Sequence, residues 1–162
     1  QGRQVDPERL EQLIGRVVAR VEQADQAVRR LNNFAHSADS DRTSTNPEQT
    51  LVALLRLFER IASLKGVAID FDPSQTPGEL ALRPILLEQA VWACLDSAVR
   101  QAPKGSRFNV SPRSTEKALQ VVIKLDPPVA LQAPQAEELC LPGAKAETTT
   151  DGTMVLEAGV GG

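Results

Sequence analysis

The side chains able to do chemistry are few here. One histidine, His36, sits in Phe34-Ala35-His36-Ser37-Ala38-Asp39. An imidazole can accept a phosphoryl group, ligate a metal or relay protons near neutral pH. It also suits the C-terminal end of a helix as a plain exposed cation, because the macrodipole is negative there. A lone histidine excludes a His-rich zinc centre and argues against a Ser–His nucleophile pair. Cys94 and Cys140 have no CxxC spacing. Cys94 falls among apolar residues at helical steps and reads as a buried thiol rather than half of a disulfide. Asp70 and Asp72 flank a strand end and read as solvated loop carboxylates, and Glu137-Glu138 as one face of a short surface helix. No metal site is expected from these spacings.

Composition narrows the partners. The net charge is −3, no run of Lys and Arg forms a stripe, and aromatic residues are four Phe, one Trp and no Tyr. That argues against nucleic acid, which needs cationic surface and stacking rings, and against an anionic membrane. No apolar run reaches about 18 residues and the start has no signal-peptide core, so a cytoplasmic chain without membrane contact is expected. Gln1-Gly2 at one end and Gly159-Val160-Gly161-Gly162 at the other read as the limits of an excised fragment. A chain of 162 residues can still bury roughly 70% of its unfolded surface, enough for a core of its own.

The longest well-patterned apolar stretch runs from Leu80 to Pro103. Leu86, Leu87, Ala90, Val91, Cys94, Leu95 and Ala98 recur at three- and four-residue steps, the mark of an amphipathic helix, with Pro84 in its first turn and Pro103 closing it. Before it, residues 6–38 begin with Asp6-Pro7 as N-cap and first helical position. Leu10, Ile14, Val17, Val21, Ala24, Val28, Leu31 and Ala35 then alternate steps of four and three. Such a heptad seam must lie along another helix: a second copy, another helix of this chain, or one beyond it. Residues 37–46 are small and polar and predict a linker. Asn46-Pro47 opens a second helix whose face is Leu51, Leu54, Leu55, Phe58, Ile61, Ala62 and Leu64, closed by Lys65-Gly66. Val67 to Phe71 alternates as a strand. Arg107–Ser111 and Ala118–Leu125 predict a hairpin with its tip at Pro112 to Lys117, a short helix is expected near Gln135 to Leu139, and Asp151-Gly152 predicts a turn between strands.

That order and several of its stretches resemble the catalytic region of sensor histidine kinases over nearly the whole chain. The end of the first helix, Arg29-Arg30-Leu31-Asn32-Asn33-Phe34, is similar to the second helix of the family's dimerisation and phosphoacceptor hairpin. Asn46 to Phe71 resembles the first helix and strand of the GHKL ATP-binding domain. Leu86 to Pro103 lies without a gap on the family's N-box helix, approximately LxQVLxNLLxNAxKxxP, where Gln89, Ala90, Val91, Leu95, Ala98, Arg100 and Pro103 fit. The resemblance implies an α+β fold, a long coiled-coil-like helix followed by a two-layer α/β sandwich with a mixed sheet. Its expected parts are a dimerisation-type helix at 1–38, a linker at 39–46 and an ATPase-fold domain at 47–162, cut short at its C-terminal end.

Residue by residue, the resemblance also implies lost chemistry. The family's first N-box Asn falls on Ala93, and its second, which holds Mg²⁺ through a side-chain carbonyl, falls on Ser97, a shorter and weaker ligand. Asp96 is adjacent but about 100° around the helix. The family's DxGxG, whose Asp reads the adenine amine, falls on Asp126 followed by Pro127-Pro128-Val129-Ala130, where prolines stand in place of glycine freedom. The second glycine-rich phosphate loop has no counterpart. Ala93, Ser97 and Asp126 should border one cavity, open and polar if ATP binds, filled by Pro127 and Pro128 if it does not. Three functional readings follow. One is a pseudokinase without ATP or Mg²⁺, homodimeric through its first helix, docking a response-regulator receiver or a partner kinase domain. The second is a histidine phosphotransferase with His36 as acceptor. The third is a fragment of an active kinase. An unrelated α+β domain with this element order is the bland alternative.

Overall fold

Proline and its capping neighbour decide where the first two helices begin. In a computed structural model, which describes residues 6–38 and 44–159, α1 (Pro7–Ala38) starts at the Asp6-Pro7 signal. The Glu8 N–H donates to the Asp6 carboxylate at 3.1 Å. Helix α1 is a unit by itself, and the expected seam is exposed along it as far as Val28, the later seam residues lying outside the described side chains. Leu10, Ile14, Val17, Val21 and Val28 are between 47% and 61% exposed, with Leu13 and Val18 widening the stripe.

The second unit opens earlier than expected. Residues 39–43 of the expected linker lie outside the described residues, but Thr45 is buried. Its backbone exchanges two hydrogen bonds with Leu80, at 2.9 and 2.8 Å, and its hydroxyl meets that of Thr50. Leu80 is therefore held as an extended bridge, and the helix of this stretch begins at Pro84, in the first turn as expected. Helix α2 (Pro47–Leu64) is capped as expected, the Asn46 side chain accepting from the Gln49 N–H at 3.1 Å. Its far end is a Schellman motif: the N–H groups of Gly66 and Val67 bond back to the carbonyls of Ser63 and Ala62, with Gly66 at φ +71°. Leu64, expected on the buried face, is 81% exposed, since six residues beyond Phe58 it has turned about 120° away.

Five strands follow in one mixed sheet: β1 (Ala68–Phe71), β2 (Arg107–Ser114), β3 (Ala118–Asp126), β4 (Lys145–Thr148) and β5 (Thr153–Gly159). Their spatial order is β1-β2-β3-β5-β4, with β1 parallel to β2 and the other pairs antiparallel. Helices α3 (Pro84–Gln101) and α4 (Ala136–Leu139) complete the element order. Alternate residues of the inner strands, Phe108 and Val110, Val121, Ile123 and Leu125, Met154 and Leu156, are buried with Phe58, Leu87, Val91 and Leu95 of α2 and α3. Residues of the other parity, such as Asn109, Lys124 and Glu157, are exposed, giving helices on one face of the sheet. The hairpin is longer than expected. Strand β2 continues through Pro112, opposite Val121, and the tip shrinks to Thr115–Lys117. Proline is tolerated there because β1 pairs only as far as Val110, so no ladder on that side needs its N–H.

Candidate functional site

Ala93 and Ser97 stand one turn apart on α3, half-buried along the edge of the face formed by its fully buried residues Ala90, Val91, Cys94 and Leu95. They share a cleft of about 480 Å³ whose other walls are Trp92 and Asp96 from α3 and Gln132, Pro134 and Glu138 from the chain after β3. Trp92 is anchored from behind by an edge-to-face contact with Phe58 of α2. Asp96 is engaged in an ion pair with Arg100, one turn on along the exposed rim.

The Ser97 hydroxyl is spoken for. It donates to the Gln132 carbonyl at 2.9 Å. Gln101, one turn further, donates from Nε2 to the same carbonyl at 3.0 Å, to Ser97 O at 2.9 Å and to Ser97 Oγ at 3.0 Å. The Gln101 Oε1 in turn accepts from the Gln132 N–H at 2.7 Å. A side-chain amide thus grips both backbone groups of one residue, 31 positions away in the chain.

Asp126 is not part of this cleft. It ends β3 in register with Arg107, which pairs with Asp70 at 2.7 Å. The guanidinium of Arg107 is held above its ordinary pKa by Asp70 first and by the nearby charge of Asp126. The cavity expected to join Ala93, Ser97 and Asp126 therefore joins only the first two. The filling by Pro127 and Pro128 expected of a chain without ATP does not occur: the cleft is open and polar-walled, both prolines are exposed, and the Asp126–Pro127 peptide is cis. What packs inward after β3 is Leu131, 5% exposed, and then Leu139 and Leu141. The backbone at Pro128 and Val129 instead lies against Gly152, whose φ is +76°.

The remaining candidates fall apart from the cleft or only on its rim. Cys94 is buried as expected, and desolvation pushes its thiol up to about 12. Cys140 is exposed, at φ 55° just past α4. Asp72 accepts from the Ser74 N–H at 2.9 Å, which holds its carboxyl below the usual range. The Asp70 side chain stays 48% exposed, as expected of a solvated carboxylate, and is also ion-paired with Arg107. Glu138 closes a capping box on Gln135, while Glu137 receives the Cys140 thiol on its carbonyl. His36 falls in the last turns of α1, where side chains lie outside the described residues. The residues that sequence reasoning passed over, Gln101 and Gln132, carry no local signal; neither belongs to a motif, and only the fold brings them together.

No family model matches the chain and no curated protein resembles it in sequence. Solved structures do resemble it in shape. The catalytic domain of the histidine kinase ThkA superposes over 74% of this chain and 97% of that one, at 12% identity and a TM-score of 0.58. ThkA in complex with the response regulator TrrA covers 96% of this chain and 52% of that chain, at 13% and 0.57. The Acinetobacter baumannii histidine kinase AdeS covers 99% of this chain and 88% of its own, at 14% and 0.55. What is common to all three at such low identity is architecture: the chain carries the α+β fold of the sensor-histidine-kinase catalytic region, with its mixed five-stranded sheet.

Proposed function

We propose that the chain is a two-component signalling module that keeps the kinase fold and has given up ATP. In this reading it is a pseudokinase, a homodimer through α1, that docks a response-regulator receiver or a partner kinase domain in the cytoplasm. The observation that carries it is the state of the donors on α3. Ala93 offers no ligand, the Ser97 hydroxyl donates to the Gln132 carbonyl and accepts from Gln101 Nε2, and the Asp96 carboxylate is paired with Arg100. Mg²⁺ demands near-ideal oxygen geometry, and these residues do not fit it or the nucleotide it would carry. Asp126, the position matching the adenine-reading Asp, lies beside Arg107 instead.

The open seam of α1 supports the dimer, since a stripe of Leu, Ile and Val at heptad spacing is stable in water only against another helix. A receiver is the favoured partner because one structurally similar kinase was solved with its response regulator bound. Among the described residues no helix is long and apolar enough to cross a membrane. Light scattering tests the arrangement: a mass twice the 17.5 kDa of one chain is expected, falling to one chain mass in Val17→Asp. A native monomer would sink the dimer. Incubation with a phosphorylated receiver is expected to give a complex without transfer. Acid-labile phosphate on the native chain, lost in His36→Ala, would replace this reading with a phosphotransferase.

A further inference from the structure

The chain from Pro127 to Pro134 belongs to no helix or strand. Three of its eight residues are proline and offer no N–H. Among the described residues, every hydrogen bond that this backbone makes is at Gln132, and every partner is a side chain of α3. The Gln132 N–H donates to Gln101 Oε1, and its carbonyl accepts from Gln101 Nε2 and Ser97 Oγ. Apolar anchoring is limited: only Leu131 is buried, Val129, Ala133 and Pro134 are half-buried, Pro127, Pro128, Ala130 and Gln132 are exposed, and the backbone at Pro128 and Val129 rests on Gly152. Downstream, the next fixed point is Leu139 of α4.

We propose that residues 127–134 form a strap across the Trp92–Ala93–Ser97 side of α3, and that the Gln101 amide is its latch. Latched, the strap forms one wall of the cleft; released, it leaves that side of α3 open from Trp92 to Gln101. An amide is suited to the task because it presents one acceptor and two donors together, matching the N–H and C=O of a single residue as a neighbouring strand would. The latch also sits at the surface, where water competes for the same groups, so the closed state is favoured only modestly and can open locally. Anything that enters the cleft and bonds to Gln132 or Gln101 competes with the latch. Occupancy and opening are therefore linked whatever the occupant is. This device does not depend on whether the module binds nucleotide.

Hydrogen exchange resolved at single amides tests it on the whole chain. Among the described residues the Gln132 N–H has one partner, Gln101, whereas the neighbouring Val129 and Ala133 N–H groups have none, so Gln132 alone in the strap is expected to be protected. Gln101→Leu keeps the bulk and removes the latch, and is expected to speed exchange at Gln132 by about tenfold or more. Ser97→Ala leaves the N–H bond in place and is expected to do so less. Acrylamide quenching of Trp92, the only tryptophan, should rise in the same order while the amides of Val121 and Ile123 in β3 stay unchanged. The proposal is overturned if Gln132 exchanges as fast as Val129 in the native chain, a comparison that needs no variant. It is equally overturned if Gln101→Leu leaves Gln132 protected, or frees it only together with the β3 amides.

Discussion

The rings of Phe58 and Trp92 meet edge to face, their centroids 4.9 Å apart and their planes at 87°. Phe58 is fully buried in α2, while Trp92 reaches from α3 to the cleft, so the pair joins the core to the candidate site. Phe58→Ala removes the ring behind Trp92 and leaves a cavity, a loss of about 3–5 kcal/mol. Urea unfolding followed by tryptophan fluorescence checks this, and Trp92 emission should shift to the red even in the folded variant. Phe58→Leu, which refills most of the volume, should lose less.

Gly152 is the second point where one atom decides the packing. Its φ is +76°, and a Cβ there would come 2.9 Å from Val129 N and 3.0 Å from Pro128 Cα, both backbone. Gly152→Ala is expected to cost about 1–3 kcal/mol from the backbone conformation alone. The clash should add to it by displacing the start of the strap. Gly143→Ala, at φ +75° but facing open space, is the control, and should cost less. Thermal melts of the two variants side by side give the comparison.

The two thiols should part company. Cys140 is exposed and should react with a thiol reagent at pH 8 within the mixing time of a slow assay, while buried Cys94 reacts only on unfolding. One equivalent is expected from the native chain and two in denaturant. The sign of the pH effect follows from the raised value of Cys94. Its folded pKa, about 12, lies above the unfolded value of 9.0, so its contribution to stability is whole below pH 9 and is lost as pH rises from there toward 12. Cys94→Ala should flatten that decline in the pH dependence of the melting temperature.

Acid acts through other groups. Asp72 and Asp151 are held below the ordinary carboxyl value of 3.8, Asp72 by the Ser74 N–H and hydroxyl, Asp151 by the hydroxyls of Thr149 and Thr153. Their stabilisation is present above that value and disappears as pH falls through the lower folded ones. Both are fully exposed, so the effect is small. Asp72→Asn and Asp151→Asn should each make the melting temperature less sensitive to pH below 4.

Most elements were legible because their causes are local. Asn46-Pro47, Pro84 and Lys65-Gly66 mark helix ends by what their own backbones can do, and the alternation of β3 and β5 shows directly which residues face the core. The N-box-like pattern in α3 carried the fold. What was not legible depends on partners far away in the chain. Leu80 is tied to Thr45 by a backbone pair that nothing local signals, and Pro112 stays in a strand because β1 stops short of it. In the candidate site, Ala93 and Ser97 could be placed from spacing along one helix, but not the separation of Asp126, which follows from its register with Arg107. Nor could any local rule show that Gln101 would seize Gln132.

The central claim is that the α3 cleft no longer serves Mg²⁺ and nucleotide, because its oxygen donors are committed elsewhere. Calorimetric titration with a non-hydrolysable ATP analogue, with and without Mg²⁺, tests it most directly. No saturable binding is expected up to millimolar analogue in either condition. Saturable, Mg²⁺-dependent binding at micromolar concentration, weakened by Ser97→Ala, would contradict the account.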